Sequence, residues 1–304
     1  AEGFRAPSIL ELFEGLRQTS VPVSDPCSGG GAGLPGCAGV PATYVQPTAN
    51  VPATVGGNPD LQPETSENLS LGFVLTPTAL PGASLTVDWF SIEIEDTISA
   101  YGAQNLLDLC ASTGQRCGFI ERESSGEIAN VADGPINLNN TKVEGVDIVA
   151  RYLLEADSGT WSFMLSGARL LDLEERSTLP DGSEFVVDKV GTAASREAFP
   201  KWRATFQTQW SKGAWSGSYK ARYIGDTVEE PSPGDFRKIR TVTYHDVAGG
   251  YDFDNGLSIR IGVDNVTDKQ PPVSLTNLNI NFDINTYDPV GRFFYGRLTW
   301  DLDL

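Results

Sequence analysis

The sequence predicts an all-β fold, the wall of an antiparallel transmembrane β-barrel, from three observations. Segments of about ten residues alternate apolar and polar side chains, as strands with two unlike faces do. Their connections are short and long by turns, and aromatic residues cluster beside the short ones.

Taken in order, residues 1–12 read as a strand stub. Residues 13–64 read as a long loop, because nine of the 19 prolines fall within the first 64 residues beside glycine runs at Gly29-Gly30-Gly31 and Gly56-Gly57. Next, Leu69, Leu71, Phe73 and Leu75 alternate with Asn68, Ser70 and Gly72. In 84–97 the apolar parity switches from Leu85, Val87 and Trp89 to Ile92 and Ile94, which places a bulge near Phe90. A long loop at 98–142 precedes Val146, Ile148, Ala150, Tyr152 and Leu154, alternating with Asp147, Val149, Arg151 and Leu153. A short turn near 155–159 leads to another strand and a long loop at 173–199. Along 201–210, Trp202, Ala204, Phe206, Thr208 and Trp210 share one face, and Lys201, Arg203, Thr205, Gln207 and Gln209 the other. The pattern repeats in 215–225, across the short linker 211–214, so these two form a hairpin. After a loop at 226–240 comes a strand bearing Val247, Gly249, Tyr251 and Phe253. Asn255-Gly256, a strong hairpin signal, then introduces Leu257, Ile259, Ile261 and Val263. The last long loop, 267–290, precedes a closing strand at 291–302, which makes nine strands and the stub.

A soluble β-sandwich alternates in the same way. Here the second face carries Lys, Arg, Gln, Ser and Asp, which suits a hydrated lumen. Tyr152, Trp161, Trp210, Trp215, Tyr251, Phe253 and Trp300 lie beside the short turns, where a membrane interface would hold an apolar ring with a polar edge.

Composition narrows the function. Twenty-two Lys and Arg against 40 Asp and Glu give −18, which argues against nucleic acid as a partner. No apolar run approaches the roughly 18 residues of a membrane-spanning helix. A lone histidine, His245, removes most His-dependent metal sites. The cysteines fall into close pairs, Cys27 with Cys37 and Cys110 with Cys117, whose spacing does not suit zinc; two loop-closing disulfides in an oxidising compartment are expected. The chain opens on Ala1-Glu2-Gly3 with neither Met nor a signal peptide, as a mature terminus or a cut would leave it.

Six motifs resemble those of the TonB-dependent outer-membrane receptors of Gram-negative bacteria, in that family's order. They are Gly3-Phe4-Arg5-Ala6-Pro7-Ser8, Asn58-Pro59-Asp60-Leu61-Gln62-Pro63-Glu64-Thr65, Thr141-Lys142-Val143-Glu144-Gly145-Val146-Asp147, Phe199-Pro200-Lys201-Trp202, Val263-Asp264-Asn265-Val266-Thr267-Asp268 and Tyr287-Asp288-Pro289-Val290-Gly291-Arg292. Each also has a local reading. Pro59 and Pro63 deny ladder donors, so pairing starts only after Glu64. Gly145 and Gly291 suit a bulge or close backbone approach, and Asp264-Asn265 supplies side chains where pairing stops.

The resemblance implies that residues 1–304 are the C-terminal part of a twenty-two-stranded barrel, about its last ten strands. The plug, the TonB-contacting box and the first half of the wall would then lie elsewhere. It implies active uptake of a scarce solute, a ferric siderophore, cobalamin or similar small metal chelate. Outer-membrane lipid would surround the wall, and the TonB–ExbB–ExbD energy-coupling complex would act through the plug. No redox or organic cofactor is needed. Tyr101, Tyr287 and Arg292 are candidate ligand-gripping residues near the outer rim.

The alternatives are a complete ten-stranded hydrolase or a passive porin. His245-Asp246 invites the first, but there is no Asp-Asp dipeptide to oppose it, and strand parity points His245 away from the lumen. Glu93 and Glu95 share a face, as do Thr86 and Asp88, and the simpler reading is a charged lumen; no catalytic residue is assigned. The acidic loop residues Asp133, Asp181, Glu229, Glu230 and Asp283 could offer oxygens to Ca²⁺ or could simply solvate their loops. Pairing of 3–12 with 291–302 would close a ten-stranded barrel, and unpaired edges would mark an arc of a larger one.

Overall fold

The computed structural model describes residues 1–301 apart from 179–183, 195–196, 233 and 277–279. Asp181 and the final Leu302, Asp303 and Leu304 therefore lie outside the described residues. Ten strands form the main sheet: β1 (Glu2–Arg5), β2 (Glu64–Leu75), β3 (Ala83–Ser99), β4 (Ile136–Ala156), β5 (Gly159–Thr178), β6 (Trp202–Lys212), β7 (Trp215–Ile224), β8 (Val242–Asp252), β9 (Leu257–Asp264) and β10 (Phe293–Trp300). Their order in the sheet is their order in the chain, with the short strand Glu184–Asp188 added beside β5. β1 pairs antiparallel with β2, and β5 to β10 pair antiparallel in succession. The order starts at β1 and stops at β10, so the sheet is open, the arrangement expected of an arc of a larger barrel.

The nine strands and the stub are thus present, with two differences. The stub pairs only to Arg5. Pro7 follows, and Ser8 caps a short helix α1 (Ile9–Phe13) by accepting from the Glu11 N–H while the Glu11 carboxylate accepts from the Ser8 N–H. Strands β3, β4 and β5 are also longer than the alternation indicated, at 17, 21 and 20 residues. About 9–11 tilted residues cross a bilayer. The remainder stands at the long-loop end, where 136–142 is too rich in Asn and Thr to show a two-residue period.

Cross-strand register confirms the two faces. Trp161, Trp210, Trp215 and Tyr251 share the apolar face through the pairs Trp210↔Trp161 and Trp215↔Tyr251. Indole N–H groups of Trp210 and Trp300 donate to turn carbonyls of Ser158 (2.8 Å) and Asn255 (3.2 Å), giving each ring edge a polar partner beside a short turn. Gly256 takes φ 81° in the Asn255-Gly256 turn, a conformation glycine adopts without steric cost. In β3 the exposed carboxylates Asp88, Glu93, Glu95 and Asp96 fall at positions of both parities, and Asp96 takes φ 56°.

The chain divides into two compact units. The first comprises residues 1–67, 93–141 and 175–187, the second 68–92, 142–174 and 188–304. The first, here the loop unit, has a four-stranded sheet ordered Arg17–Pro22, Asn50–Val55, Ile128–Ala132, Ile120–Arg122, in which the middle pair is parallel. Helix α2 (Ala103–Thr113) buries Leu106 and Leu107 in the same core as Val23, Val51, Ala53 and Val131. The second unit holds most of the wall, and its long connections form the hairpins Ala193–Ala194 with Glu197–Ala198 and Thr227–Ser232 with Asp235–Ile239.

Candidate functional site in the long loops and polar wall

Charged side chains and motif residues meet in three places, each within one unit. The first is in the loop unit. Asp25 has a fully buried side chain and accepts two bonds from the Arg122 guanidinium (2.6 and 2.9 Å) and one from the Cys27 N–H (3.0 Å). Burial pushes the Asp25 carboxyl up, but the Arg122 bonds and charge and the Cys27 N–H together hold it below its ordinary value. Both expected disulfides are formed, Cys27–Cys37 and Cys110–Cys117. They lie side by side, since a Cβ on Gly36 would collide with the Cys110 carbonyl, so only glycine lets the first disulfide loop seat on α2.

In the same unit, Arg5 donates from Nε and Nη2 to Glu64 (2.6 and 2.7 Å), and its Nη groups reach Glu11. Glu64 also accepts from the Ile98 N–H (2.8 Å). Arg5 belongs to the first motif and Glu64 to the second, so this ion pair joins the two. Arg5 and the Ser8 N–H hold the Glu11 carboxyl down at about 2.

The second place is the polar face of the wall in the other unit. Asp246 accepts from Lys220 (3.2 Å), Arg222 (3.3 Å) and the Asn265 N–H (2.9 Å). Arg222 also pairs with Asp288 (3.3 Å) and lies over the Tyr244 ring, whose hydroxyl accepts from the Asp288 N–H. Asn265, wholly buried, bonds to the backbone of Lys269 in both directions, and Asp268 accepts from the Arg292 N–H (2.9 Å). The last two motifs are therefore fixed to one carboxylate hub. His245 faces the other way, with Nδ1 2.8 Å from the Tyr219 hydroxyl and Phe206 beside that ring. His245 and Asp246 do not act on a common point.

The third place is the hairpin of residues 227–239. Glu229 is buried and accepts from Arg237, Ser274 Oγ (2.8 Å) and the Leu275 N–H (3.1 Å). Burial pushes its carboxyl up, but these donors, led by the Leu275 N–H, bring it below its ordinary value.

The sequence-nominated ligand residues are differently placed. Tyr101 packs against the loop-unit core with Arg116 5.7 Å over its ring. Tyr287 is buried among Ala193, Ala198, Ile239, Val242 and Tyr244, and burial pushes its phenol up. Arg292 is exposed. Of the nominated acids, Asp133 accepts from the Gly102 N–H at the start of α2 and is pushed up by burial, while Glu230 accepts from the Gly234 N–H. Asp283 accepts from the Asn285 and Thr286 N–H groups in its own turn. Among the described residues no group of three or more His, Cys, Asp or Glu is placed to hold a metal. Sequence reading missed Asp25, Arg122 and Arg237; only Ser8 with Glu11, a capping-box spacing, left a local signal for the Arg5 cluster.

Residues 1–266 match the family model described as TonB dependent receptor-like, beta-barrel. The chain belongs to the TonB-dependent receptor β-barrel family. Comparison with curated proteins found no match. Among solved structures, the siderophore receptor PirA from Acinetobacter baumannii aligns over 98% of this chain and 38% of its own, at 16% identity and TM-score 0.61. A variant of the ferric enterobactin receptor PfeA from Pseudomonas aeruginosa, in complex with enterobactin, aligns over 98% and 37%, at 19% identity and TM-score 0.59. At such identities the likeness is one of fold. The chain spans less than two fifths of the length of these receptors. Their shared architecture is the wall of a TonB-dependent barrel, which this open sheet of alternating strands matches.

Proposed function

We propose that this chain works in the outer membrane as wall and loops of a receptor that takes up a scarce solute, a ferric siderophore or similar chelate, driven by TonB. The family match over residues 1–266 carries this reading. The structure supports it with a sheet whose apolar face suits lipid, whose opposite face is lined by fixed charges, and whose long connections are folded rather than merely linking. In this reading the energy-coupling complex acts through a plug, and residues 1–304 supply the site's wall and rim. A hydrolase reading gains nothing from His245, which shares the apolar face with Tyr219 and Tyr251. The test is uptake of ⁵⁵Fe-loaded chelates by cells carrying the receptor, with and without TonB, together with membrane fractionation. Uptake that persists without TonB, or a protein recovered from the soluble fraction, refutes the proposal.

A further inference from the structure

β1 stands at one end of the strand order, paired to β2 on one side only. Its free side offers a row of unmet backbone donors and acceptors to a further strand. The same stretch of the loop unit leaves five large apolar side chains bare. Phe4, Ile9, Leu10, Phe13 and Leu16 are each 69–81% exposed. Ile9 and Phe13 stand one helical turn apart with Leu10 between them, so the three share a face of α1. That face belongs to a seated element. The Asn58 and Gly57 N–H groups donate to the Glu11 and Glu14 carbonyls, and a Cβ on Gly57 would collide with the Leu12–Phe13 peptide. Arg5 ties α1 to β2 as well, through Glu11 and Glu64.

Charge decides between lipid and protein as the cover. Register sets Glu2 opposite Glu67 and Phe4 opposite Thr65, so all four lie on one face. Neither glutamate has an ion-pair partner among the described residues. Like charges directly opposite one another destabilise a strand pair, and acyl chains offer a carboxylate no compensation. The face therefore suits a neighbour that brings a cation beside Glu2 and apolar side chains beside Phe4 and α1. This chain covers 38% and 37% of the receptors it aligns with, a length that leaves room for further strands of the same wall.

We infer that a further strand of the same receptor wall, with the loop it carries, docks on this edge. The strand pairs with β1 and sets a Lys or Arg beside Glu2, and the loop lays apolar side chains over Phe4, Ile9, Leu10, Phe13 and Leu16. The inference rests on the receptor reading above and adds the chemistry of the seam. Because Arg5 holds α1 to Glu64, the covering loop is fixed to the same ion-pair cluster as the wall.

Photocrosslinking in the whole receptor tests it. A benzophenone-bearing phenylalanine analogue is placed at Leu10 or, separately, at Phe13; the receptor is irradiated in outer membranes, and the adducts are sequenced. Both positions should join, within one polypeptide, to a single segment outside residues 1–304. That segment should hold an apolar loop and a Lys or Arg in register with Glu2. Adducts to lipopolysaccharide, to a second copy (read as a doubled mass), to another protein or to peptides within 1–304 overturn the inference, as does a folded receptor that yields no adduct. A second variant tests the charge by its sign. Glu2→Gln removes an ion pair if the cation is present, and amide exchange in β1 should then quicken about two- to fivefold. Unchanged or slower exchange means that Glu2 only repels Glu67, and it overturns the cation. Neither readout depends on transport. The seam in a receptor that takes up no chelate refutes the uptake reading alone, and uptake without the seam refutes this inference alone.

Discussion

Replacing Arg122 with Ala should unlock the loop unit. The substitution leaves Asp25 with a fully buried side chain, the Cys27 N–H and the Tyr44 hydroxyl, and no cationic partner among the described residues. Removing one partner of a buried pair typically costs about 3–5 kcal/mol, because the remaining charge stays buried without compensation. The geometry here justifies that range: two guanidinium bonds of 2.6 and 2.9 Å, with a side-chain exposure of 16% for Arg122 and 0% for Asp25. A factor of ten corresponds to about 1.4 kcal/mol, so protection against amide exchange should fall by roughly two to three and a half decades. The amides to follow are Val23, bonded to the Ala49 carbonyl, and Asp133, bonded to the Thr54 carbonyl, since both tie the unit's elements together. The double variant Asp25→Asn, Arg122→Met should recover much of the loss, because it removes both charges. The pH dependence has a definite sign. The folded Asp25 value lies below the ordinary carboxylate value of about 3.9, so its contribution is complete above that pH and fades as pH falls through the folded value. Unchanged protection in Arg122→Ala, or a double variant as damaged as the single one, would refute the reasoning.

Three further outcomes follow from the same geometry. Glu229→Ala should free residues 274–276 from the hairpin at 227–239 and expose Arg237 to fast tryptic cleavage, at a cost of about 1–3 kcal/mol; because the folded Glu229 value is depressed, acid should loosen the wild-type hairpin toward the same state. Cys27→Ser with Cys37→Ser should destabilise the loop unit by about 2–4 kcal/mol, with faster exchange at Val23, while the β6–β7 and β7–β8 amides keep their protection. His245→Phe should keep fold and uptake, because His245 lies on the apolar face with its ring against Tyr219; any hydrolytic activity abolished by this change would revive the enzyme reading.

The wall was legible in the sequence because strand alternation is local: one hairpin suffices to show that Trp202 and Trp210 share a face with Phe206. The loop unit was not, because its defining contacts join different connections. Nothing near Ala53 announces Val131, and nothing near Asp25 announces Arg122, since pairing across such distances leaves no period or spacing to read. Helix α2 was hidden differently, in a segment where the cysteine pair and glycines outweighed the spacing of Leu106, Leu107 and Cys110. The motifs were recognisable before their causes were: only the structure shows Arg5 gripping Glu64 and Asp246 gathering Lys220, Arg222 and Asn265. Tyr287 was nominated as an aromatic residue near the outer rim, and what the sequence did not show is its burial among Ala193, Ala198, Ile239, Val242 and Tyr244.

The parallel pairing of Asn50–Val55 with Ile128–Ala132 bears on the order of folding. In the main sheet each strand pairs with its chain neighbour, so hairpins can zip in succession with small loop-closure losses. The disulfides span separations of only 10 and 7 residues, so oxidation is also a local event. The parallel pair must wait for two separate connections to meet, which makes its docking the slow kinetic phase. A refolding trace should therefore show wall signals and disulfide formation ahead of protection at Ala53 and Val131, and the parallel sheet of the loop unit would be the last of these parts to mature.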